Sequence, residues 1–146
     1  MSKEISMENN DFTEILSLIS KAQSRALASV NREMITMYWE IGRIVSEKAA
    51  SDGWGKSTVS SLAFFLQSKM PNTSGFSDKN IWRMKQFYET YKGNQKLSPL
   101  VREISWTNNL LIMTACKTDE AREFYINACI DNQYSKRELE RQIDSM

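Results

Sequence analysis

From Asp11 to Ile41 the chain runs without a single glycine or proline. Along that run Phe12, Leu16, Ile19, Gln23, Ala26, Val30, Met34, Met37, Ile41 and Ile44 follow one another at steps of four and three, slipping once around Asn31. That spacing is the period of a helix with one packed face. A continuous helix over 11–50 would be about 55–60 Å long at 1.5 Å per residue, longer than a small domain is wide. Two outcomes satisfy the pattern. The helix breaks near Ser29 to Asn31 into a packed pair, or its first half projects and pairs with another chain. The early stripe is narrow, with Gln23 and Ala26 at seam positions, and suits a coiled-coil partner. Leu27, Ile35, Tyr38, Trp39 and Val45 widen the stripe, and its second half suits burial in its own domain.

The rest of the chain reads as further helices. Asp52-Gly53 and Gly55 make a turn, with Trp54 packing over the junction. Residues 56–70 follow, burying Val59, Leu62, Ala63, Leu66 and Met70, with Phe65 turned to the next helix. Pro71 stops that helix. Ser77 caps a helix of 77–92 whose Ile81, Met84, Phe87, Tyr88 and Tyr91 form one stripe. A short helix is expected over Pro99 to Glu103. Ser105 caps a helix of Trp106 to Cys116 with Leu110, Leu111 and Met113 as core candidates. A helix of 119–131 repeats Ala121, Phe124, Tyr125, Ala128 and Cys129, and Asn132 takes the left-handed position after it. Ser135 to Glu138 is a capping box that opens a last helix, with Leu139 and Ile143 inward. No stretch alternates with a period of two, and 5 Gly and 2 Pro in 146 residues leave helix little interrupted. The fold class is all-α. One helical domain spans 11–146, made of a long helix or helix pair (11–50), a helix-turn-helix-like unit (56–92) and C-terminal helices (105–145). Residues 1–10 are expected to be disordered.

Composition narrows the chemistry. There are 0 histidines, which removes Ser-His-Asp and Cys-His nucleophiles and most transition-metal sites. Cys116 and Cys129 lack metal-ligand spacing and read as reduced core thiols. Gly55-Lys56-Ser57 lacks the upstream glycine and the strand of a phosphate loop. Carboxylates such as Glu40 and Glu138 have Arg43 and Arg141 three residues on, as surface pairs do. The chain is expected not to be an enzyme, and no cofactor is expected. No run approaches the roughly 18 apolar residues of a membrane span, and the polar N-terminus is no secretory signal. Cytoplasmic is the expected location.

Net charge is +1, but segments 1–55, 56–103 and 104–146 carry −2, +5 and −2. All the positive excess lies in the middle, where two helices flank the break at Pro71 to Phe76. That is the arrangement of a helix-turn-helix with a turn longer than usual. A local basic patch is what a phosphate backbone selects, although a solvated lysine-rich face carries the same charge. Trp82, Phe87, Tyr88 and Tyr91 lie among the cations, and core packing is favoured for Phe87 and Tyr88.

The sequence resembles the N-terminal domain of the YhcG family, once catalogued only as a domain of unknown function in bacterial proteins. The matching segments are Tyr38 to Gly42 (YWEIG), Trp54-Gly55, Gly75 to Tyr88 (GFSDKNIWRMKQFY), Ile104 to Trp106, Glu120 to Tyr125 (EAREFY) and Tyr134 to Ile143 (YSKRELERQI). Two positions depart: Tyr134 stands where tryptophan is expected, and Asn108 where the family often has histidine. The resemblance implies a helical, helix-turn-helix-like domain that binds DNA and dimerises, ahead of a nuclease domain of the PD-(D/E)XK type. The expectation is an N-terminal fragment, with nuclease chemistry in a C-terminal domain beyond Met146.

These strands converge on a DNA-binding and assembly module for a nuclease. Lys56, Lys79, Asn80, Arg83 and Lys85 are the candidate DNA contacts, lysines to phosphates and Asn80 or Arg83 to base edges. A homodimer would form through the N-terminal helix. The alternative is a protein-interaction and dimerisation domain whose basic face docks a protein and not DNA.

Overall fold

The computed structural model describes the backbone of residues 2–145 and the side chains of residues 9–145. Helix α1 spans Ser2–Asp52 without a break. Its 51 residues make it about 75 Å long at 1.5 Å per residue. Of the two outcomes open in the sequence, the chain adopts the continuous helix, and there is no break at Ser29 to Asn31. Residues 2–10, expected to be disordered, are helical, because the Gly- and Pro-free sequence extends the helix upstream of Asp11. Met1 lies outside the described residues.

The two halves of α1 differ sharply. Every described side chain from Asn9 to Val30 is exposed except Ser17, which is half-exposed. Beyond it Ile35, Tyr38, Trp39, Gly42 and Val45 are buried. The buried line is thus the one read as widening the stripe. The heptad line divides, with Met37 42 % and Ile44 45 % exposed while Met34 and Ile41 pack half-buried against the core. The slip around Asn31 marks where α1 enters the domain. There the Asn31 amide donates to the carbonyls of Arg102 and Ile104, at 3.3 and 3.0 Å.

Helix α2 (Lys56–Lys69) and helix α3 (Asp78–Tyr91) follow the turn at Gly53, whose φ is +70°. Helix α3 lies along α1, burying Ile81, Met84, Phe87 and Tyr91. The approach is closest at Gly42, where an added Cβ would sit 2.1 Å from the Met84 carbonyl oxygen. Only the missing side chain lets the two backbones come so near. Helix α2 buries Val59 and Ala63 against Val45 and Ile81, with Leu62, Leu66, Trp54 and Trp82 half-buried around them. Met70 and Phe65, expected to be packed, are 36 % and 54 % exposed. The chain turns at Met70, and α2 is short and flanked on one side only, so its outer face meets no neighbour among the described residues.

The remaining chain closes the other side. Helix α4 (Leu97–Leu100), a 3₁₀ turn (Val101–Glu103), α5 (Trp106–Ala115), α6 (Asp119–Asn132) and α7 (Lys136–Asp144) complete the described elements, none of which is a strand. Leu97, Val101, Ile112, Ile126 and Leu139 join Ile35, Trp39, Phe87 and Tyr91 in the main core. Edge-on aromatic contacts knit its centre, with Phe87 5.7 Å from Trp39 and 5.1 Å from Trp106 between ring centroids. The starts of α3, α5, α6 and α7 are fixed locally. Ser77, Ser105, Thr118 and Ser135 accept from the backbone amides of Asn80, Asn108, Ala121 and Glu138.

Two local expectations shift. Gln133, not Asn132, takes the left-handed position after α6, with φ 52°, since α6 runs one residue further than its apolar period indicates. Phe124 faces outward, 62 % exposed, while Ile126 is fully buried. No helix among the described residues is long and apolar enough to cross a membrane.

Candidate nucleic-acid interface

The loop between α2 and α3 is held by a small set of side chains. Gly75 has a φ of +100°, and a Cβ there would meet the Tyr38 hydroxyl oxygen at 2.6 Å. Glycine is therefore required twice, by backbone conformation and by space. Asn80 spans the loop. Its Nδ2 donates to the Gly75 carbonyl at 2.7 Å, and its Oδ1 accepts from the Trp106 indole Nε1 at 2.9 Å. Trp106 in turn lies 4.8 Å from the Tyr38 ring. Both ends of the Asn80 amide are thus committed inside the domain, where the sequence reading had aimed it at a base edge. At the entrance of α3, Asp78 accepts from the Lys79 amide at 2.8 Å and from the Ser60 hydroxyl at 3.4 Å. That contact brings the N-terminal halves of α2 and α3 together.

The five candidate contacts then separate. Lys79 is exposed and Arg83 half-buried, and with Asn80 they line a shallow depression of about 240 Å³. Lys56 is exposed at the first position of α2, whose N-cap Gly55 supplies no side-chain bond to the helix amides. Among the described residues no acidic side chain pairs with Lys56, Lys79 or Arg83. Lys85 differs. Its ammonium pairs with Glu89 one turn on and lies 5.5 Å from the Trp82 ring. The other cations of the basic segment are also engaged: Lys96 pairs with Glu123, Lys69 and Lys92 lie over Phe65 and Tyr88, and Arg102 over Trp39. Lys56, Lys79 and Arg83 are therefore the cations of the basic segment that, among the described residues, have neither an acidic partner nor a ring beneath them.

Of the residues that shape this face, the sequence reading had not singled out the structural parts of Asn80, Trp106 and Gly42. Each depends on a partner far along the chain, 26 residues away for Asn80 and Trp106. Asn109 is a further case, fully buried with its amide donating to the Val101 carbonyl at 2.8 Å. Cys116 and Cys129 are buried and unpaired, and burial pushes both thiols up, Cys129 to about 11. Among the described residues no three Cys, Asp or Glu converge as a metal site needs.

An all-α domain with a basic helix pair and a free helical arm is the class that this geometry defines. The family model of the DUF1016 N-terminal domain matches residues 14–146. The chain belongs to that family, the YhcG-like N-terminal domain associated with nucleases. No curated protein and no solved structure matches it.

Proposed function

We propose that this domain is a DNA-binding and assembly module that brings a C-terminal nuclease domain to its substrate in the bacterial cytoplasm, and that it is not itself an enzyme. The observation that carries the reading is the set of cations without acidic partners on the adjoining N-terminal halves of α2 and α3. Lys56 and Lys79 would bind phosphates, and Arg83 would bind a phosphate or a base edge. Lys85 contributes less, because Glu89 offsets its charge. Asn80 acts by holding the Gly75 loop against Trp106, so that Lys79 and Arg83 are presented at a fixed spacing. Assembly is assigned to the exposed half of α1.

Titration of a labelled DNA duplex at graded salt tests the reading. Binding that weakens steeply as salt rises is expected. No binding at low salt overturns it. The exposed apolar stripe of α1 supports the second reading, a protein-interaction and dimerisation domain without DNA contact, and in that case the duplex titration stays flat while the chain still self-associates.

A further inference from the structure

The free half of α1 carries seven large apolar side chains between Asn9 and Val30, 49–71 % exposed. Phe12, Leu16, Ile19 and Val30 lie on the seam with Ile15 and Leu27 beside it, and at roughly 100 Å² apiece these amount to about 600 Å², at the top of what a monomer ordinarily leaves open. That approaches the roughly 800 Å² each partner contributes to a standard interface. Helices in proteins also draw most of their stability from packing an amphipathic face, and the apolar stripe of this half stands exposed.

We propose that this segment pairs antiparallel with the same segment of a second copy of the chain, about a two-fold axis at the level of Lys21. The register sets Phe12 against Val30, Leu16 against Ala26, and Ile19 against Gln23. The inference rests on the assembly half of the proposed function and not on its DNA half. Each of these pairs joins one seam position of the heptad to the other, as antiparallel knobs-into-holes packing requires. Each also sets a larger side chain against a smaller or more polar one, so the layers interdigitate. Parallel pairing would place every residue against itself. Ala26 would face Ala26 across a gap, and Glu33, the seam position that follows Val30 when the heptad runs on without its slip, would face Glu33. In the antiparallel register Glu33 meets the neutral Asn9 instead.

Variants of the full chain with one added cysteine read the direction of pairing, since native Cys116 and Cys129 are buried. Leu16→Cys and Ala26→Cys chains are mixed under reducing conditions, then oxidised, with each variant oxidised alone beside them. The expected result is a shift to a covalent species of doubled mass in the mixture and not in either variant alone. A covalent dimer from either variant alone shows parallel pairing and overturns the proposal, and so does the absence of the mixed product. Sedimentation of the unaltered chain separates the failures. A dimer without the mixed cross-link overturns the direction and leaves assembly standing, whereas a monomer overturns both.

Discussion

At the scale of single residues, the tightest constraint is the one between α1 and α3. A methyl group at Gly42 would lie 2.1 Å from the Met84 carbonyl oxygen, and that oxygen belongs to backbone that cannot rotate away. Gly42→Ala is expected to cost at least about 1–3 kcal/mol, seen as a melting temperature lower by roughly 4–10 °C. Asn80→Ala removes the donor to Gly75 and the acceptor of the Trp106 indole. A loss of about 1–3 kcal/mol in urea unfolding is expected, because two polar groups lose their partners together. An Asn80→Ala chain of unchanged stability would mean the amide is free for another task. Tyr91 behaves in the opposite sense. Its hydroxyl is buried and bonds to no protein group among the described residues. Burial pushes the phenol up to about 12, slightly offset by Arg122, and the Cys129 thiol up to about 11. Unfolded, the two groups titrate near roughly 10 and 8.5. The folded state thus keeps protons that the unfolded chain releases, so stability is full below about pH 8.5 and falls as pH rises towards about 12. Tyr91→Phe is expected to keep or raise stability at pH 7 and to flatten the alkaline fall above about pH 10, measured by urea unfolding across that range.

At the scale of elements, α1 is one helix with two environments. From Asn31 onward its amide and its Ile35–Val45 line belong to the core, and before Asn31 its described side chains are exposed or half-exposed, with Ser24, Leu27 and Ala28 bordering a groove against Ile104, Ile130 and Tyr134. Removing residues 1–30 is therefore expected to leave the unfolding free energy of the remaining domain within roughly 1 kcal/mol, while abolishing self-association in sedimentation. Cooperative unfolding lost on truncation would place the arm inside the folding unit. This element also marks what a sequence discloses. The caps at Ser77, Ser105 and Ser135 were legible because a cap is set by a side chain and an amide three residues on. The stripe of α3 was legible because a single face is buried. The buried side of α1 was not, since its heptad line and its widened face are both apolar, and only contact with α3 chooses between them. Asn80 illustrates the same limit within the candidate interface. A polar residue near a helix start looks the same whether it awaits a base edge or reaches an indole 26 residues downstream.

At the scale of the whole molecule, charge and shape separate into two ends. Lys56, Lys79 and Arg83 lie where α2 and α3 begin, and the apolar arm extends from the other end of the α1 contact. The +5 of the central segment was visible in the sequence, yet its sum hid the fact that Lys85, Lys96 and Arg102 are engaged internally. If antiparallel arms join two copies, the basic faces lie far apart and address separate stretches of duplex. The direct measurement is fluorescence anisotropy of a labelled duplex titrated with the unaltered chain and with Lys79→Glu/Arg83→Glu, across salt concentrations. The unaltered chain is expected to bind with a slope of log K against log salt near about −3, one unit for each of Lys56, Lys79 and Arg83. The double variant is expected to lose at least about tenfold in affinity and most of that slope, while Lys85→Glu loses less. Equal affinity and equal slope for the unaltered chain and the Lys79→Glu/Arg83→Glu variant would contradict the assignment of this face to DNA.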